Sequence, residues 1–189
     1  RSLVGSEMCI RDRSNLASMG IYIFTASKLF KYLTEDDANP NSSKDFGKDV
    51  LPAMLNAGEK MYSYRFSGYW KDVGTISSLW EANMDLLGEN PAFDVGDPDW
   101  KIHSRNPLAP PEYIGDTAHV NNSLVSLGCE VEGTVINSIL SSNVVIEEGT
   151  EVVDSVLMAG TVVKSGAKVV YSIVDENTCL LYTSPSPRD

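Results

Sequence analysis

A four-residue unit returns four times in the second half of this chain, and it constrains the fold more than any other feature. Asn122-Ser123-Leu124-Val125, Asn137-Ser138-Ile139-Leu140, Asp154-Ser155-Val156-Leu157 and Tyr171-Ser172-Ile173-Val174 follow one another at spacings of 15, 17 and 17 residues. A valine stands three places before each serine (Val120, Val135, Val152, Val169), and an aliphatic residue stands eight places after the first three (Val131, Ile146, Val163). Gly128, Gly133, Gly149, Gly160 and Gly166 punctuate the intervals. One aliphatic per short strand and three strands per coil predict a parallel β-helix built in steps of roughly six residues. A single coil cannot bury its own apolar face, so the coils must stack. A β-sandwich also shows regular short strands, but nothing in it demands four in-phase copies of one serine-aliphatic unit.

The first half follows other rules. Ile21–Phe24 is short and β-rich, which predicts a buried strand. Leu29, Phe30 and Leu33 then recur at helical spacing, with Ser27 as N-cap and an end near Glu35, before the Asn- and Ser-rich stretch around Pro40. A second helix is expected from Ser42–Ser43, with Val50, Leu51, Met54 and Leu55 as its apolar stripe and Gly58 as its stop. Tyr62, Tyr64 and Phe66 alternate as in a strand. Thr75 or Ser77 caps a third helix through Leu79, Trp80, Met84 and Leu87, closed by Gly88. This alternation indicates an α/β layer. The expected division is an α/β part over 14–88, a connection over 89–113 holding Pro91, Pro98, Pro107, Pro110 and Pro111, and coils over 114–178.

The two ends fit neither part. Codons can be chosen so that Leu3–Arg13 and Cys179–Arg188 are encoded by complementary DNA strands. The expectation is that residues 1–13 and 179–189 are translated sequencing adapter, to be set aside like any fusion scar. Cys129 is then the single remaining thiol, which excludes a disulfide framework or a cysteine-rich zinc site and suits a cytoplasmic location. The net charge of −11 disfavours nucleic acid and anionic membranes as partners.

Residues 68–75, Gly-Tyr-Trp-Lys-Asp-Val-Gly-Thr, carry the chemistry. Tyr69 and Trp70 offer flat faces with a polar tip, suited to a sugar ring. Asp72 offers a hard oxygen, suited to Mg²⁺ beside phosphates. A strand end with a solvated aspartate is the plainer reading of the same run, and Lys71 reads as solvated. Asp45 is equally suited to binding hydroxyls or to satisfying a helix N-terminus. Ser18, Tyr22 and Phe46 could equally be packing residues. Lys48 and Asp49 read as a solvated face or a local ion pair. His103 and His119 have no partner motif, and His119 reads as a surface residue. Cys129 reads as a small buried hydrophobe.

Ala17-Ser18-Met19-Gly20-Ile21-Tyr22, Asn41–Asp49, Tyr69–Thr75 and Trp80–Leu86 together resemble bacterial glucose-1-phosphate adenylyltransferase (ADP-glucose pyrophosphorylase). The resemblance implies the C-terminal part of a Rossmann-like nucleotidyltransferase domain followed by a partial left-handed parallel β-helix. It implies that ATP and glucose 1-phosphate are joined to ADP-glucose and pyrophosphate in glycogen or starch synthesis. It places Ser18, Tyr22, Asp45, Phe46 and Trp70 around glucose 1-phosphate and Asp72 on the catalytic Mg²⁺. It also implies a homotetramer. The chain itself has no glycine-rich phosphate loop, so it is expected to be an inactive fragment. A transferase for another sugar 1-phosphate, a non-catalytic regulatory subunit and a β-helix acyltransferase are the competing readings.

Overall fold

The computed structural model describes residues 17–103 and 107–181. The chain divides into two compact units, residues 1–67 and 68–189.

In the first unit, helix α1 spans Ala26–Ala38. Its N-cap is Thr25 rather than Ser27, and it runs past Glu35 because the first proline comes only at Pro40. Phe30, expected on the buried stripe, is exposed, and Tyr32 is buried in its place. A π-helical turn, Phe46–Val50, runs into α2, Leu51–Asn56. It starts at Asp45, not at Ser42–Ser43, because the Asp45 carboxylate accepts from the backbone N–H groups of Gly47 and Lys48. Pro52 stands at the start of α2, where its missing N–H costs nothing. The core of this unit is small: Tyr32, Val50 and Met54, with Phe24 and Leu33 against them. Lys28 pairs with Glu59, which also accepts from the Tyr32 hydroxyl.

Neither strand expected in this unit forms. Ile21–Phe24 and Met61–Phe66 lie outside any sheet, with Ile23, Tyr62 and Tyr64 almost fully exposed. A parallel strand exists only against neighbours, and among the described residues none pairs with either segment.

The second unit holds helix α3, Ile76–Met84, and thirteen short strands. The Thr75 hydroxyl accepts from the Ser78 N–H, and the Ser78 hydroxyl from the Thr75 N–H, so a capping box fixes the start of α3. Past Met84 the chain tightens, with the N–H groups of Leu86 and Leu87 reaching back three residues to Asn83 and Met84. The α-helix therefore ends short of Leu87, and Gly88 follows at φ +99°.

The strands are β1 Tyr113–Ile114, β2 His119–Asn121, β3 Leu124–Val125, β4 Glu130–Val131, β5 Thr134–Ile136, β6 Ile139–Leu140, β7 Val145–Ile146, β8 Glu151–Val153, β9 Val156–Leu157, β10 Val162–Val163, β11 Lys168–Val170, β12 Ile173–Val174 and β13 Cys179–Leu180. They form three wholly parallel sheets, ordered β1-β4-β7-β10-β13, β2-β5-β8-β11 and β3-β6-β9-β12. This is the parallel β-solenoid that the repeats predict. Registers such as Val120↔Val135↔Val152↔Val169 are the repeat spacings themselves. Val131, Val135, Ile146, Val152, Val163 and Val169 are fully buried in its core.

Each serine of the repeat turns inward at a corner. Its hydroxyl donates to the carbonyl two residues back, and the hydroxyls of Ser123, Ser138 and Ser155 accept in turn from the N–H groups of Ser138, Ser155 and Ser172 one coil on. The residue before it is left-handed in every coil (Asn122, Asn137, Asp154 and Tyr171, φ 44–49°), a conformation that asparagine and aspartate tolerate better than most. At another corner Gly128, Asn143, Gly160 and Asn177 are all left-handed. The Asn143 and Asn177 amides lie where a Cβ on Gly128 or Gly160 would stand, so a side chain at either glycine would have to displace that amide.

Cys129 is buried in the solenoid core, and the apolar surroundings push its thiol pKa up. His119 is exposed on β2. The ladder extends two residues past the expected boundary at 178, because Cys179–Leu180 pairs with β10 and Leu180 packs on the core. Residues 1–13 and 182–189 fall outside the described part of the chain.

Candidate functional site

Four of the expected site residues lie in the first unit, and the structure gathers them. The Tyr22 hydroxyl is 2.8 Å from the Ser18 hydroxyl, which also accepts from the Gly20 N–H at 3.2 Å. The Tyr22 ring lies nearly parallel to Phe46, 6.1 Å away, and Phe24 leans on both at 5.9 Å. Asp45 adjoins Phe46 and uses Oδ1 to accept from Gly47 N–H at 2.8 Å and Lys48 N–H at 2.9 Å. Its Oδ2 accepts no hydrogen bond from the described residues. Tyr22 and Phe46 are each about one-third exposed. The result is a cluster of three aromatic rings with two paired hydroxyls, and a carboxylate on the residue before Phe46.

Asp49 ties down the turn that precedes Phe46. Its Oδ2 accepts from the Ser43 hydroxyl and N–H and from the Asp45 N–H. These bonds, led by Ser43, hold its pKa below the ordinary value. It is neither a plainly solvated residue nor half of an ion pair, and its role escaped the sequence reading. Its place four residues after Asp45, facing Ser43 across a tight turn, was the available signal.

Trp70 and Asp72 lie in the second unit, on the segment leading into α3. Tyr69 and Lys71 converge on one group. The Tyr69 hydroxyl donates to Asp85 Oδ2 at 3.0 Å, and the Lys71 ammonium donates to the same oxygen at 2.7 Å. Lys71 also faces Glu81 at 3.4 Å, and Tyr69 stacks on Phe93 at 5.6 Å. Lys71 is therefore a paired, three-quarters buried anchor and not the solvated residue expected. Asp85 holds its pKa up, and Lys71 in turn pulls that of Asp85 down. Burial and then Asp85 raise that of Tyr69. Both Tyr69 and Lys71 are thus committed to structure.

Trp70 and Asp72 make neither contact. Trp70 is about half exposed, and Asp72 is exposed. Asp72 Oδ1 accepts from the Gly74 N–H at 3.1 Å, while Oδ2 accepts nothing among the described residues. One hard, accessible carboxylate suits a divalent cation whose other ligands are phosphate and water oxygens. Among the described residues no three acidic, histidine or cysteine side chains assemble into a self-sufficient metal site, and no helix is long and apolar enough to cross a membrane.

Two family models match the chain: nucleotidyl transferase over residues 7–89 and the GlmU-like C-terminal hexapeptide over residues 111–182. The first begins inside the N-terminal segment set aside as adapter, and the second ends just past β13. Glucose-1-phosphate adenylyltransferase of Clostridium botulinum (strain Alaska E43 / Type E3) is 57% identical over 138 residues, 73% of this chain and 36% of that protein. The enzymes of the same name from Bacillus cereus (strain Q1) and Bacillus anthracis are 56% identical over 140 residues, 74% of this chain and 37% of theirs. The chain is homologous to the glucose-1-phosphate adenylyltransferases. It spans a little over one-third of the length of these relatives. A nucleotidyltransferase portion followed by a hexapeptide-repeat solenoid is the domain order expected from the resemblance.

Proposed function

We propose that these residues serve an adenylyltransferase that joins ATP and glucose 1-phosphate to ADP-glucose and pyrophosphate. The observation that carries this reading is the 56–57% identity to enzymes of that name. In the reaction a phosphate oxygen of glucose 1-phosphate attacks the α-phosphorus of ATP. The bond from that phosphorus to the bridging oxygen breaks, and pyrophosphate leaves. Such transfers depend on placement and charge neutralisation.

The chain's own residues have plain parts in this proposal. Trp70 and the Tyr22–Phe46 pair offer faces for the sugar. Ser18, Tyr22 and the unused Asp45 oxygen offer polar contacts to its hydroxyls and phosphate. Asp72 would hold the divalent metal, Mg²⁺ in this reading, and the bound ion would supply charge neutralisation at the phosphates. A cytoplasmic homotetramer follows from the resemblance alone.

The test uses an enzyme of the relatives' full length that contains this sequence, assayed with glucose 1-phosphate and each nucleoside triphosphate. ATP should be preferred, and a preference for UTP or dTTP would replace this reading with another sugar nucleotidyltransferase. Asp72→Asn should lower kcat by about a hundredfold or more with the fold unchanged. An undiminished kcat would remove Asp72 from the metal site.

A further inference from the structure

We infer that Asp85 and Trp80 are positioning residues: Asp85 clamps the Trp70–Asp72 segment to α3, and Trp80 fastens α3 to the solenoid. The inference rests on the proposed role of Trp70 and Asp72. It begins from contacts that neither residue makes itself. Tyr69 and Lys71, the neighbours of Trp70 on either side, both donate to a single oxygen, Asp85 Oδ2, at 3.0 and 2.7 Å. Lys71 is drawn in further by Glu81 on α3, and the Tyr69 ring is backed by Phe93. The backbone on both sides of Trp70 is therefore held by side chains that share Asp85 as a partner. A charge-assisted bond shared with a second donor is among the stronger links available to a partly exposed segment.

The anchor continues across the unit. On α3, Glu81 faces Lys71, and Trp80 precedes Glu81 in sequence. The Trp80 indole N–H donates to the backbone carbonyl of Asp154 at 2.7 Å, and its ring meets Tyr171 at 4.5 Å between centroids. Asp154 and Tyr171 are consecutive members of the left-handed corner column of the solenoid. Asp154 is fixed there by the Asn137 side-chain amide at 2.6 Å and by its own N–H on the Ile136 carbonyl. A contiguous path thus runs from a rigid coil corner through α3 to the segment bearing Trp70 and Asp72. Its consequence is that Tyr171, ninety-nine positions beyond Asp72 in sequence, belongs to the support of the same segment.

Two measurements test this, and they fail independently. In the 189-residue chain the three tryptophans give three indole N–H signals, and the heteronuclear NOE of the Trp70 signal reports its order. Asp85→Asn and Lys71→Met, which remove the clamp from opposite sides, should each lower that NOE while the Trp100 signal is unchanged. Tyr171→Ala should do so more weakly. An unchanged Trp70 NOE in both clamp variants overturns the inference, whether or not any enzyme activity is found.

The second measurement uses the full-length enzyme. Asp85→Asn and Trp80→Phe should lower kcat by about tenfold or more and raise the divalent-metal concentration for half-maximal rate, with KM for ATP little changed. A loss of stability alone would not move the metal requirement. If the wild-type enzyme makes ADP-glucose and both variants keep its kcat and its metal requirement, the positioning role is refuted. If the wild-type enzyme makes no sugar nucleotide, the functional reading fails, and the NOE alone decides the clamp.

Discussion

Thr150 is buried in the solenoid, and its hydroxyl has no hydrogen-bond partner among the described residues. It lies against Gly133, where a Cβ would collide with that oxygen. A buried hydroxyl without a partner keeps its desolvation cost and gains nothing in return. Thr150→Val retains the shape and removes the cost, so it should stabilise the solenoid by about 1 kcal/mol. Urea denaturation followed by far-UV circular dichroism would show this as a higher midpoint, and a lower one would mean that the hydroxyl has a partner in solution. Residue chemistry of this kind was only partly legible in sequence. The burial of Cys129 was readable, since a small thiol beside a coil glycine has few other uses, and capping was one of the two uses read for Asp45. The roles of Lys71 and Asp49 were not, because each depends on a partner six or more residues away that only the folded chain brings near.

At the scale of elements, α3 and the segment before it form one device whose strength depends on pH. Asp85 has its pKa lowered from the usual 3.8, chiefly by the Lys71 hydrogen bond. A depressed carboxylate pKa stabilises the fold at pH values above the unfolded value, and that stability is lost as pH falls through the lower, folded value. The raised pKa of Lys71 contributes stability that is present below its usual 10.5 and is lost only as pH rises through the higher, folded value. Near-UV circular dichroism from Tyr69, Trp70 and Trp80 should therefore hold steady through neutral pH and diminish as the solution is acidified below the ordinary carboxylate range. Lys71→Met should abolish the part of this transition due to the clamp. An identical acid transition in that variant would assign it to other carboxylates. The start of α3 was readable as Thr75 or Ser77, and the capping box between Thr75 and Ser78 decides for Thr75. The strands read at 21–24 and 61–66 failed for the opposite reason. Their β-rich composition states a preference, but a sheet is made by partners, and the described residues contain none for either segment.

Across the molecule, the solenoid is a stack in which each coil is held by the coil before and the coil after, so its stability should vary with position along the stack. The serine ladder allows this to be measured with one chemical change at two depths. Ser155 is fully buried, donates to the Val153 carbonyl and accepts from the Ser172 N–H, so it ties its own corner and joins it to the next coil. Ser172 is half-buried and donates to the Val170 carbonyl, and among the described residues no further serine donates to it. Ser155→Ala takes the partner from the part-buried Ser172 N–H, while the Val153 carbonyl keeps the Tyr171 N–H, and should cost about 1–3 kcal/mol. Ser172→Ala loses one local bond in a corner that water can reach, and should cost about 1 kcal/mol or less. The same ladder is why the solenoid could be read from sequence while the first unit could not. Each coil repeats its inward positions against a neighbour at a fixed spacing, so register is written into the repeat. The first unit offers only Tyr32, Val50 and Met54 as a buried core, with no repetition to fix their partners. Equal losses for the two serine variants in urea would mean that coil corners act independently, and the nearest-neighbour account of the stack would fail.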